Sequence, residues 1–277
     1  MLPFFVQGQL VHPKASPFSM TLQVVGLDTL EVQYSRPAVN NRKIFGDLVP
    51  YGRIWRVGAN ESTKFSTSTT LNIQGHSLPK GTYAIYAFPE ESDWQIAFHK
   101  NTQHWGDGRD AYDPKEDVFR VTVKPEPIPF TQENLLISFE ELQYQSVKLV
   151  LCWENTKIEI PLGLDTNSRM LAAIANRIKK DPTAQTYYEA ARFLQEQGLD
   201  HPIALAYVNK ALELGGDTYY FHRIKSLLEA AVADYSAAID SAKKSLSLAA
   251  TEGKDEFVRM NQKNIDLWKT RLMPSKD

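Results

Sequence analysis

Residues 147–180 read VKLVLCWENTKIEIPLGLDTNSRMLAAIANRIKK, and the hydrophobic rhythm changes inside them. In VKLVLCW, a period of two puts Val147, Leu149, Leu151 and Trp153 on one face. In KIEIP, Ile158 and Ile160 alternate with Lys157 and Glu159. Both segments read as strands, and the short link Glu154-Asn155-Thr156 suggests a hairpin between them. From Asp165 onward the beat lengthens to that of a helix, over Asp165–Lys180.

The change divides the whole chain. Twelve of the fifteen prolines and four of the five tryptophans lie before residue 162. That half holds further short runs rich in β-branched and aromatic residues: 20–26, 29–35, 70–73, 82–88, 94–99, 118–124 and 134–140. Turn residues separate most of them, with no helical pattern between. The expectation is an all-β sandwich with one wet face per sheet. The aromatic series Tyr83, Tyr86, Phe88, Trp94 and Phe98 then serves core and cross-strand packing. Beyond Leu164 further helices are expected over 183–197, 202–214, 218–232, 235–249 and 255–272. Pro182 and Pro202 sit at helix starts, and Gly198, Gly215-Gly216 and Gly253 at helix ends.

A shift of 34 residues lays Ala204 on Ala238, Val208 on Ala242, Leu212 on Leu246 and Leu194 on Leu228. A helix-turn-helix period of that length resembles a degenerate tetratricopeptide repeat, with an unrelated helix bundle as the alternative. Such arrays take a protein partner or pack on their own domain. The expected organisation is therefore residues 1–9 as a signal-peptide remnant or tail, 10–163 as the β-sandwich domain, and 164–277 as an all-α helical-repeat domain.

With 43% hydrophobic and 23% charged residues the composition is that of a globular chain. A net charge of −2 favours neither nucleic acid nor an anionic membrane as partner. No run of about 18 apolar residues exists, so no membrane span is expected. The single cysteine, Cys152, cannot form an internal disulfide and reads as a small buried residue on a strand. Val6 and Gly8 suit the end of a signal peptide, which would place the protein in the periplasm or outside the cell; a genuine N-terminus would leave it cytoplasmic.

Residues 34–65, YSRPAVNNRKIFGDLVPYGRIWRVGANESTKF, form neither strand nor helix; four arginines, two prolines and three glycines make them a structured loop system. Arg36, Arg53, Trp55, Arg56, Asn60 and Glu61 are its candidate ligand-binding residues, because guanidinium forks grip carboxylate or phosphate. The ligand would be a small anionic, sugar-like or peptide molecule. The structural alternative is that these side chains brace the loop. Segment 99–117, HKNTQHWGDGRDAYDPKED, adds Trp105, Tyr112 and Asp113 to the candidates. It also holds His99, His104, Asp107, Asp110 and Asp117. Two imidazoles and a carboxylate could bind a metal, but the spacing fits no ligand signature, so a solvated hairpin loop with no metal is expected. No cofactor motif or nucleophile elbow is visible. Recognition of a ligand is the leading function; a hydrolase using the Arg/Asn/Glu cluster and the His/Asp loop, or a scaffold acting through the helices, are the alternatives.

Several of these segments together resemble a known family. YSRP (34–37), NNRKIFG (40–46), LVPYGRIWRVGANE (48–61), LPKGTYAIY (78–86), Trp94 with IAFHKN (96–101), HWG (104–106), YD (112–113) with EDV (116–118), and LCWENTKIEIP (151–161) occur in order. Over about residues 10–162 the chain resembles the bacterial domain-of-unknown-function family 2911. The resemblance implies an all-β domain and an exported protein of Bacteroidetes-like bacteria, and supplies no reaction. Asn40-Asn41 stand where a glycine is common, and asparagine tolerates the left-handed conformation too.

Overall fold

The computed structural model describes residues 12–106 and 110–272. The candidate signal remnant at 1–9 and Asp107 lie outside the described residues. The chain separates into two compact units, Met1–Ser168 and Arg169–Asp277.

The first unit is built from ten strands: β1 (Phe18–Val25), β2 (Asp28–Ser35), β3 (Thr63–Thr67), β4 (Leu71–Ile73), β5 (His76–Leu78), β6 (Gly81–Pro89), β7 (Trp94–His99), β8 (Asp117–Val123), β9 (Glu126–Glu140) and β10 (Ser146–Leu164). They form two antiparallel sheets, β1-β2-β3-β6-β7-β8 and β5-β4-β10-β9. Alternation explains the sandwich. Leu30 and Val32, Phe65, Ile85, and Ile96 with Phe98 come from the larger sheet. They share one buried core with Ile137, Leu149, Leu151, Ile158 and Ile160 from the smaller. Tyr34 pegs the sheets together: its hydroxyl donates to the Ile137 carbonyl (3.3 Å) and accepts from the Ile137 amide (2.9 Å).

One expectation is overturned. Glu154-Asn155-Thr156 is not a hairpin; β10 runs unbroken for 19 residues. Both of its halves pair with the same long strand β9, from Lys148 opposite Glu140 to Lys157 opposite Glu126. The register shifts at Cys152–Thr156, and Glu154 takes φ +56°. The polar triplet is absorbed as a bulge rather than a turn. Cys152 is correspondingly half-buried rather than buried, on the face opposite Leu151 and Trp153. Along β10, Lys148 and Lys157 both bond Glu159 (2.8 and 2.6 Å), so that face is a half-buried ion-pair ladder.

The second unit holds α1 (Thr166–Lys180), which begins just before it, then α2 (Ala184–Glu196), α3 (His201–Glu213), α4 (Tyr219–Ala231), α5 (Tyr235–Thr251) and α6 (Asp255–Leu272). The starts are capped by side chains: Thr183 on α2, Asp200 on α3, Thr218 on α4 and Asp234 on α5. The two Asp caps stand 34 positions apart, and the paired positions Ala204 and Ala238, Val208 and Ala242, and Leu194 and Leu228 are all buried. Gly198, Gly215 and Gly253 take positive φ at helix ends, where a left-handed residue closes the last turn. A polar relay crosses this core: Arg223 Nη1 donates to Asn261 Oδ1 (3.1 Å), Asn261 Nδ2 to Ser245 Oγ (2.8 Å), and Ser245 Oγ to the Tyr219 carbonyl (2.6 Å).

Two measurements check this packing. Gly26 opens the two-residue turn between β1 and β2 at φ +57°, and a Cβ there would strike the Tyr144 carbonyl and the Thr166 side chain. Gly26→Ala should lower unfolding free energy by about 2 kcal/mol or more, read by urea denaturation. Glu229 is buried in α4, and that burial raises its pKa. The folded state therefore keeps the proton to higher pH than the unfolded chain does. This costs stability as pH rises above about 4.3, the ordinary glutamate value. Glu229→Gln should raise the melting temperature at pH 7 by more than at pH 4.

Candidate functional site

The loop from Arg36 to Ser62 is fixed to both sheets. Pro37–Val39 lies along β9: the Leu135 amide bonds the Pro37 carbonyl (3.0 Å) and the Val39 amide bonds the Glu133 carbonyl (2.8 Å). Further on, Trp55 exchanges both backbone bonds with Ala87 of β6 (2.8 Å each). Trp55 thus takes the place β3 leaves, since β3 pairs with β6 only as far as Thr63 opposite Ile85. Side chains anchor the loop further. Trp55 stacks on Trp153 (centroids 5.8 Å, 16° between planes) and meets Trp94 edge-on (6.1 Å); Phe45 packs on Trp94 at 4.7 Å.

Between those attachments lies a cleft of about 420 Å³, lined by Asn40, Arg42, Trp55, Arg56, Gly58 and Trp153 among others. The backbone beneath it is unusual. Asn40 and Asn41 take φ +48° and +57°, as asparagine permits. Val57 takes φ +56°, a true outlier for a β-branched residue. Its carbonyl accepts from Thr63 Oγ1 (2.6 Å), and its side chain is fully buried. Next to it, Gly58 has φ +152°, and a Cβ there would stand 2.9 Å from the Ser35 carbonyl. Burial of Val57 holds the kink that sets Arg56 against the cleft. Arg53 lines an adjoining hollow of about 290 Å³, which shares Leu48, Val49, Trp55 and Arg56 with the cleft.

The other candidates do not join that cleft. Arg36 donates through Nε to the Leu135 carbonyl (2.8 Å), bracing the loop on β9. Asn60, at φ +62°, donates to Ser35 Oγ (3.0 Å) and the Ser16 carbonyl (3.3 Å), pinning the segment before β1. Glu61 pairs with Lys64 at 2.5 Å, and that bond and charge lower its pKa. Trp105 is 65% exposed and bridges Glu61 through its backbone. Asp113 caps the short 3-10 turn Pro114–Glu116 by accepting from the Lys115 amide.

Tyr112 belongs to a different cluster, on the outer face of the larger sheet. There Ala84, Tyr86 and Ala97 are buried under Ile54, Phe88 and Tyr112. The expected solvated hairpin is therefore not the whole account: Tyr112 covers part of the sheet. A register shift between Phe98 and His99 brings His99 opposite Asp117. His99 is fully buried, stacked on Tyr112 (4.7 Å), with Nδ1 2.9 Å from Asp117 Oδ1. The Tyr112 hydroxyl and Arg120 Nε both donate to Asp117 (2.6 and 2.7 Å). Desolvation, then the Asp117 carboxylate, push the Tyr112 pKa far up, so it stays a donor. His104 Nδ1 shares a hydrogen bond with the buried Tyr86 hydroxyl (2.8 Å).

Residues 16–162 match the family described as Protein of unknown function (DUF2911), more than half of the chain. The chain belongs to that family. No curated protein matches it. The DUF2911 match stops at residue 162, inside β10, and does not extend over the helices. Within the DUF2911 part, sequence reasoning singled out Arg56 and Trp55 but missed Arg42, Asn40 and Trp153 as their neighbours in the cleft. Arg42 and Asn40 were visible inside NNRKIFG, whereas Trp153 arrives from a strand far along the chain.

Arg36 and Arg56 should behave differently on substitution. Arg36→Ala removes a charged donor from a backbone carbonyl. It should lower unfolding free energy by about 1.5–3 kcal/mol in urea denaturation. Arg56→Gln should cost less, because glutamine keeps a polar donor at the border of the cleft.

Proposed function

We propose that this DUF2911 member is a recognition module, and that its β unit binds a small anionic ligand in the cleft beside Arg56. An acidic sugar or a peptide carboxylate of the cell envelope has the right chemistry. The observation that carries the reading is the meeting of two guanidinium side chains, Arg56 and Arg42 (the latter fixed in place by its bonds to the Val39 and Ala38 carbonyls), with two tryptophans, Trp55 and Trp153, in one concavity of about 420 Å³. That volume lies within the roughly 300–1,000 Å³ usual for small-molecule sites. Guanidinium forks orient carboxylate or phosphate, while indole edges offer an apolar wall to a ring. Asn40 adds an amide at the rim. The left-handed Val57 supports the same reading, since backbone strain of this kind gathers at ligand sites.

Two further elements belong to this reading. The family's association with exported proteins favours a periplasmic or extracellular setting for such a ligand. No helix among the described residues is long and apolar enough to cross a membrane. The helical tail acts as a degenerate tetratricopeptide-like array open to a protein partner, supported by the recurring Asp200 and Asp234 caps.

The test is a thermal-shift titration of the full chain with galacturonate, glucose 6-phosphate and an acidic tripeptide. At least one anion should raise the melting temperature, and Arg56→Gln should weaken its apparent affinity about tenfold or more, the value of one charge-assisted bond. Equal shifts with neutral glucose, no shift with any anion, or an unchanged affinity in Arg56→Gln would contradict the proposal.

A further inference from the structure

The outer face of the larger sheet carries a second site, independent of the cleft. We propose that His99, His104 and Glu116 bind one divalent ion of the zinc class, with one coordination position left open. One ligand atom from each residue lies within 4.8 Å of the others. His99 Nε2 and Glu116 Oε2 are 3.4 Å apart. Two ligands about 2.1 Å from an ion, set at a tetrahedral angle, stand about 3.4 Å apart, so the spacing fits a shared metal.

The hydrogen bonding around the trio points the same way. His99 is fully buried, and its Nε2 makes no hydrogen bond. Its Nδ1 is engaged by Asp117, so in the neutral ring the proton sits on Nδ1 and the lone pair on Nε2 faces the Glu116 carboxylate. An electron pair aimed at an anionic oxygen is unfavourable unless a cation stands between them. Asp117 is itself held by Tyr112 and Arg120. This reproduces the carboxylate–histidine–metal relay, in which a second carboxylate fixes the tautomer and strengthens the ligand. His104 is oriented likewise: in the tautomer whose Nδ1–H donates to the Tyr86 oxygen, Nε2 is left for the ion.

The backbone presents the ligands. Strand alternation turns His99 onto this face, and the shift at Phe98/His99 sets it opposite Asp117. The 3-10 turn at Pro114–Glu116 delivers Glu116, whose carbonyl accepts from the Lys100 amide (3.0 Å). The Glu116 side chain is 42% exposed, so the ion would be reached from solvent on that side. Two imidazoles and one carboxylate are the donor set of ions that keep a position for water or substrate.

The experiment uses the untagged full chain, stripped with a chelator and titrated with zinc chloride against a chromophoric competitor. One equivalent should bind per chain. His104→Gln and Glu116→Gln should each weaken binding at least about tenfold, and Asp117→Asn about 10–100-fold. Glu61→Gln, whose carboxylate pairs with Lys64, should bind as the parent does. Cobalt(II) should give a visible absorption band that Glu116→Gln diminishes. Should His104→Gln not fold, Glu116→Gln decides, because that side chain is partly exposed. Failure of the parent protein to take up zinc, or stoichiometric uptake that survives Glu116→Gln unweakened, would overturn the site. An imidazolium–carboxylate pair would then account for the 3.4 Å contact.

Discussion

The β unit depends on four aromatic rings brought together from three parts of the chain. Phe45 and Trp55 come from the long loop, Trp94 from β7 and Trp153 from β10. Edge and stacked pairs of this kind each add about 0.5–1.5 kcal/mol beyond their buried area. The gain matters here because the loop between Arg36 and Ser62 has little regular structure of its own. Ordering such a segment costs roughly 1–2 kcal/mol per residue in backbone entropy. Backbone bonds to β9 and β6 hold its two ends, and the rings hold its middle. Both are needed to offset that cost.

Once the loop is fixed, the rest of the cleft follows. Trp55 is set by its exchange with Ala87, so Arg56 must leave at the next position. Val57 is then turned inward at φ +56°, kept there by complete burial and by Thr63. Gly58 passes so close to the Ser35 carbonyl that only glycine fits. Hydrogen bonding marks two arginines as braces of the loop: Arg36 spends its Nε on a strand carbonyl, and Arg42 donates to the Val39 and Ala38 carbonyls; Arg42 and Arg56 both border the cleft. On the far face of the larger sheet the strand alternation does different work. Ile96 and Phe98 face the core, so Ala97 and His99 must face outward, under Tyr112.

Much of the fold was legible in the sequence because it rests on local signals. Helix starts and ends followed Pro202, Gly198 and Gly253, and the strand faces of Val147, Leu149 and Leu151 followed from alternation. The break at Glu154 was misread because a polar triplet looks the same whether the chain turns back or bulges. Only the length of β9 decides, and that depends on Glu126 and Pro127 pairing with β10 at the start of a proline-rich stretch. The candidate sites were harder. Arg36 and Arg56 have like chemistry and different partners, which no local pattern reveals. Glu116 was passed over because its partners, His99 and His104, lie on the other side of a long excursion, and only the His99–Asp117 register brings them together.

The most direct test of this account is amide hydrogen exchange across residues 38–58 of the intact chain. If the aromatic rings and sheet attachments hold the loop as described, the amides of Val39, Val49 and Trp55, each bonded to a backbone carbonyl, should exchange as slowly as those of β3 and β6. Exchange at the rate of an unstructured chain for these three, with β3 and β6 still protected, would contradict the account and remove the physical basis for the cleft.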